Sequence, residues 1–143
     1  MYKGISTAET VKFISKNDPD PKNPTVFHLR GLDRFILAII EDMTTEYRAV
    51  GKGPEATVEI HINSAMRNLL VAKYGIAKIE NYADPKTGKA VTIEASEERS
   101  FHDQAYHAIP DDILKYFPGS GLIGELSNEI LKMNALSEEE EKN

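Results

Sequence analysis

The chain has 143 residues, with 23 acidic against 17 basic side chains and no cysteine. A net charge of −6 argues against a main role on nucleic acid, where counterion release rewards a basic face. The missing cysteine removes disulfides, thiolate metal sites and cysteine nucleophiles.

At this length a single domain is expected, with residues 1–136 forming one globular unit and 137–143 an acidic, solvated tail. No apolar run approaches the roughly 20 residues that span a bilayer. The opening "MYKGISTAET" lacks the apolar region of a signal peptide, so a cytoplasmic protein is expected.

In chain order, "TVKFIS" (10–15) and "TVFHLR" (25–30) are β-branched and aromatic. The intervening "KNDPDPKNP" is rich in proline and asparagine, so the pair reads as a hairpin with a long exposed loop. "GLDRFILAIIEDMTTEYRAV" (31–50) places Leu32, Phe35, Ile36, Ile39, Ile40, Met43 and Tyr47 at three-four spacing. That spacing predicts an amphipathic helix of about four turns, ended by "GKGPE" in a helix-to-helix connection.

"ATVEIHINSAMRNLLVAKYG" (56–75) carries two periods at once. Val58, Ile60 and Ile62 alternate with polar residues as in a strand, while Val58, Ile62, Ala65, Leu69 and Ala72 trace a helical stripe. A helix over most of the segment is expected, with Gly75 as its C-cap. "IAKIENYADPKTGKAVTIEA" (76–95) reads as a second hairpin, turning through "DPKTGK". Pro110 opens a short helix whose first turn carries Asp111 and Asp112, and "PGSG" at 118–121 ends it. A last helix is expected to start near a Ser120 cap and to carry Ile123, Leu126, Ile130 and Met133 on one face. The fold class expected from these elements is α+β and mainly helical, with about four helices and two small β-hairpins.

Chemistry is hard to find. His102 and His107 are five apart, whereas paired helical zinc ligands favour three or four. "GKGPEAT" lacks the Lys-Ser/Thr step of a phosphate loop, and "FPGSGLIGEL" lacks the spacing of a nucleophile elbow. No nucleophile, base and orienting group fall together, so no catalysis, cofactor or metal is expected. The stripe Ile123, Leu126, Ile130 and Met133 reads first as core and second as a docking face for a partner.

The order of segments adds a resemblance: "NPTVFHLRGLD", then "VAKYGIAKIENYADPKTGKAVTIE", then "IPDDIL", then "GELSNEILKMNALSEEEEKN". This order resembles the tail assembly chaperones of long-tailed, siphovirus-like bacteriophages, over nearly the whole chain but without a sharp chemical signature. The resemblance implies a non-catalytic protein of the host cytoplasm. It would bind the tape-measure protein, help recruit tail-tube subunits, and be absent from the mature virion. It also implies a longer frameshifted product, because Glu-Lys-Asn can be encoded by a slippery adenine run. The alternative is a small structural virion protein for head-tail joining or tail completion. Homo-oligomerisation is open on either reading, while nucleic acid and membrane are not expected as partners.

Overall fold

The computed structural model describes residues 1–142, with side chains described for 1–119 and 121–135. The elements in order are β1 (Val11–Phe13), β2 (Val26–Leu29), α1 (Arg34–Thr44), β3 (Thr45–Val50) and β4 (Thr57–Ile62). After them come α2 (Ser64–Gly75), β5 (Ile76–Ala83), β6 (Ala90–Glu94), β7 (Glu97–Phe101), β8 (Gln104–Ala108), α3 (Asp111–Leu114) and α4 (Gly119–Lys142). Strands and helices share the chain almost equally, so the expectation of a mainly helical fold is wrong. The expected four helices are present, but among the described residues eight strands form three antiparallel sheets where two small hairpins were expected.

The main sheet has the order β1-β2-β5-β6 and contains both expected hairpins. Phe27 on β2 lies opposite Ile79 on β5, which in turn lies opposite Ile93 on β6. All three are buried, and this row anchors the sheet in the core. Helix α2 is central, contacting α1, α3, α4, β5 and β8. Its Val71 and Ala72 are fully buried with Leu126 and Ile130 of α4. Where α2 meets α4 the approach is close: a Cβ on Gly75 would stand 2.4 Å from Cδ1 of Ile130. Gly75 therefore serves packing, as the last helical residue, and Ile76 takes the C-cap position.

Two corrections explain the extra strands. The first long helix stops at Thr44, because two β-branched threonines meet a hairpin there. The Thr44 hydroxyl donates to the carbonyl of Ile40 at 2.7 Å, and the Thr44 carbonyl accepts from the amide of Asn63 at 2.7 Å. That second bond ties the end of α1 to the residue just after β4, so 45–50 leave as a strand. Residues 57–62 obey the period of two over the competing helical stripe. The helix begins only at Ser64, where the Asn63 side chain accepts from the amide of Met66. "GKGPE" thus joins two strands, with Gly51 and Gly53 at φ 88° and 70°.

The third hairpin, β7–β8, lies in 97–108, where no element was expected. Its two-residue turn is His102-Asp103, with φ of 49° and 63°. Positive φ at both central positions is the primed turn that matches strand twist.

Candidate interaction surface

Strands β3 and β4 pair in strict register, with Thr45 opposite Ile62, Tyr47 opposite Ile60 and Ala49 opposite Val58 on one face. The other face pairs Glu46 with His61, Arg48 with Glu59 and Val50 with Thr57. Side chains alternate across a strand, so the hairpin is sharply amphipathic. Its apolar face is not buried. Tyr47 is 69% exposed, Val58 67%, Ile60 61% and Ile62 57%. A contiguous exposed apolar patch of this kind marks an interaction site or an aggregation liability.

The polar face is internally paired. Arg48 Nη2 lies 3.0 Å from Glu46 Oε2, and His61 Nε2 lies 3.1 Å from Glu59 Oε2. The hydrogen bond from Arg48, with its charge, holds the Glu46 carboxyl below the usual glutamate range. Beside the apolar face runs a trough of about 510 Å³ between the hairpin, α1 and α2. Tyr47, Ile60 and Ile62 contribute its apolar lining, Glu41 and Asp42 contribute acid from α1, and Arg67 contributes a cation from α2. The arrangement offers an apolar platform edged mainly by carboxylates.

The stripe proposed as a docking face on α4 lies elsewhere. Leu126 and Ile130 are fully buried, while Ile123 and Met133 are half-buried and packed against the core. The expected Ser120 cap and the acidic tail at 137–143 fall outside the residues whose side chains are described.

A second concavity, a cleft of about 730 Å³, lies between the loop before β2, the β5–β6 turn and the start of α4. Phe27, Tyr82, Tyr116 and Pro118 line it. Several of its polar side chains are bonded to its own walls. Asp18 accepts from the amides of Asp20 and Thr25, both at 2.8 Å, and Asn81 donates to the carbonyls of Asn23 and Pro24. Burial, then the nearby Asp84 carboxylate, raises the Tyr82 hydroxyl above its ordinary pKa.

One buried charge stands out, Lys73 of α2, whose side chain is 6% exposed. Its ammonium donates to Glu97 at 2.6 Å, Asp111 at 2.7 Å and the Ile109 carbonyl at 3.0 Å. Hydrogen bonds from Lys73 hold both carboxyls below their usual range. With all three donors used, the cluster fastens β7 and α3 to α2, and a structural staple explains it fully.

The four histidines do not converge. His102 sits in the β7–β8 turn, and His107 on β8 offers its backbone carbonyl to Arg30. His28 Nε2 stands 3.4 Å from Glu80 on the main sheet, and His61 is on the hairpin. Among the described residues no three metal-ligating side chains come together, and no helix is long and apolar enough to cross a membrane. Neither a protein-family model, nor a curated protein, nor a solved structure matches the chain.

The residues that define the surface, Tyr47, Val58, Ile60 and Ile62, are absent from the docking stripe read from sequence. The alternation of 57–62 was the available signal. A helical reading folds those apolar residues inward, whereas a two-stranded hairpin leaves them in solvent.

Proposed function

We propose that this chain is a non-catalytic assembly protein that acts by holding another protein on the apolar face of the β3–β4 hairpin. Its particular role is that of a phage tail assembly chaperone in the host cytoplasm. There it binds the tape-measure protein, helps recruit tail-tube subunits, and is left out of the finished particle. The observation that carries the reading is the exposed face of Tyr47, Val58, Ile60 and Ile62. A long helix with an apolar side is an aggregation hazard until something covers that side. A flat sheet face of β-branched and aromatic residues can cover it, and the carboxylates of Glu41 and Asp42 along the trough suit lysine or arginine flanks.

The alternative, a small structural virion component, draws on the same projecting hairpin, since an arm with a free strand edge can join neighbouring subunits. The coding sequence beneath 136–143 and the region downstream discriminate between them. An adenine-rich slippery run opening into an overlapping minus-one frame, followed by a long helical gene, supports the chaperone. A plain stop beside capsid or connector genes, with the protein present in purified particles, moves the assignment to the structural component.

A further inference from the structure

The two-stranded sheet has an outer edge along β4 with no strand against it among the described residues. Every residue of β4 is exposed, whereas β3 begins at a half-buried Thr45 that leans on the body. An exposed edge of this length is a template for another strand, and natural proteins usually blunt it with proline, lysine or a bulge. The segment Thr57–Ile62, TVEIHI, has none of these, and its pairing with β3 runs without a register shift.

The sequence of this edge is complementary to itself. In an antiparallel pair about a two-fold axis, residues directly opposite share a face, so only registers centred on a residue bring apolar face to apolar face. Centring on Glu59 sets two glutamates against each other, and centring on His61 sets histidine on histidine. Centring on Ile60 places Ile60 on Ile60 of the second copy, Val58 on Ile62, and Glu59 on His61.

The pairing extends through β3 in each copy. Across four strands one polar row then runs Glu46, His61, Glu59 of the second copy, Arg48 of the second copy. Acidic and basic groups alternate along it, given the β3–β4 register already in place. The opposite face becomes a continuous apolar sheet with Tyr47, Ile60, Ile60 and Tyr47 along its central row. Opposed β-branched pairs and opposite-charge pairs are the favourable cross-strand combinations, and like charges facing each other are avoided.

We infer that the chain forms a two-fold dimer in which β4 pairs with β4 of a second copy, in a register centred on Ile60. The result is a four-stranded sheet with one enlarged apolar face. That this face receives a client rests on the proposed function; the pairing itself does not. A two-fold contact of this kind is isologous and closes on itself, so it ends at two copies.

The test needs no client. Because the chain has no cysteine, a single substitution supplies one reporter thiol, and Ile60 is exposed enough to be replaced without opening the core. The wild-type protein is expected to sediment at about twice its 16.0 kDa. Ile60→Cys should link into covalent dimers, under mild oxidation or with a short bis-maleimide, at least tenfold faster than Val58→Cys or Ile62→Cys alone. A mixture of Val58→Cys and Ile62→Cys chains should link to each other, because those positions face across the axis. In the same register, two copies of residue 58 lie four residues apart along the strand, about 13 Å at the usual rise. Circular dichroism matching wild type confirms that each variant is folded. A wild-type monomer at all concentrations overturns the inference. So does equal linking at positions 58 and 60, or faster linking at Tyr47→Cys, which would assign the contact to the β3 edge.

Discussion

Replacing Gly75 with alanine tests the packing of α2 on α4, the seam at the centre of the fold. A Cβ at this position would lie 2.4, 2.7 and 2.8 Å from Cδ1, Cγ2 and Cγ1 of Ile130. Carbon atoms in contact prefer about 3.5–4.0 Å, so the neighbour must move by roughly 1 Å. Ile130 has no exposed surface through which to escape, and a rotation that relieves one atom leaves the other two. Overpacking of this kind costs about 1–3 kcal/mol, and the site belongs at the upper end. Alanine returns at most about 1 kcal/mol in helix propensity. The net expectation for Gly75→Ala is a loss of about 2 kcal/mol, or about 8 °C in Tm for a domain of this size. Ile130→Ala alone should cost about 2–5 kcal/mol through the cavity it leaves. In the double variant the new methyl group enters that cavity, so the losses should fall short of additive by about 1 kcal/mol or more. Urea unfolding of the four proteins measures the cycle. A stabilised Gly75→Ala, or additivity within about 0.5 kcal/mol, would refute the close approach.

Three further outcomes are expected. Lys73→Met should cost about 2 kcal/mol, because it strands the buried Ile109 carbonyl and leaves Arg99 as the one cation bridging Glu97 and Asp111 among the contacts described. Both carboxyls have folded pKa values depressed by Lys73, so their contribution is present above the ordinary carboxylate range and is lost as pH falls through the depressed values. Chemical denaturation between pH 6 and pH 2 should therefore show a flatter acid limb in Lys73→Met than in wild type. Asn134→Ala should cost about 2–3 kcal/mol by urea titration, since Asn134 both accepts from the Leu32 amide at 3.2 Å and donates to its carbonyl at 2.8 Å. Changing the turn His102-Asp103 to Asn-Gly should raise Tm, because both positions hold positive φ that non-glycine residues resist by about 1 kcal/mol. A fall in Tm would mean that the histidine makes a contact worth more than the strain.

Much of the scaffold is legible in the sequence, for reasons that differ by segment. The hairpins β1–β2 and β5–β6 announce themselves through β-branched runs flanking turns rich in proline, asparagine or glycine. Helix α2 is legible from its apolar run Leu69–Ala72 and its glycine end, and its second half, Val71 to Gly75, is buried on every side. Three features were hidden, each by a named competition. Residues 45–50 continue a helical stripe as far as Tyr47, but Thr44 and Thr45 meet the β3–β4 hairpin there and the bond from Asn63 to Thr44 ties the helix end to it. Residues 57–62 satisfy both periods, and exposure rather than pattern distinguishes them. Residues 97–108 hold a hairpin whose turn uses His and Asp at positive φ in place of glycine, which removes the usual signal. The interaction surface follows the same logic. The stripe on α4 reads first as core, and α2 packs against that helix; the docking reading stays open in a sequence because a sequence does not show what covers a face. The hairpin face looked buried because a helix would have buried it.

Whether the hairpin face holds a partner is read out by the light scattering of a tape-measure protein refolded with and without this chain. Tyr47 lies on β3, away from the β4 edge, and is 69% exposed, so Tyr47→Asp alters the platform without touching the core or the proposed dimer contact. The wild-type chain should keep the client in solution, and Tyr47→Asp should let it aggregate while retaining the wild-type Tm. Equal protection by both proteins, or no protection by either, would show that the hairpin face does not hold this client.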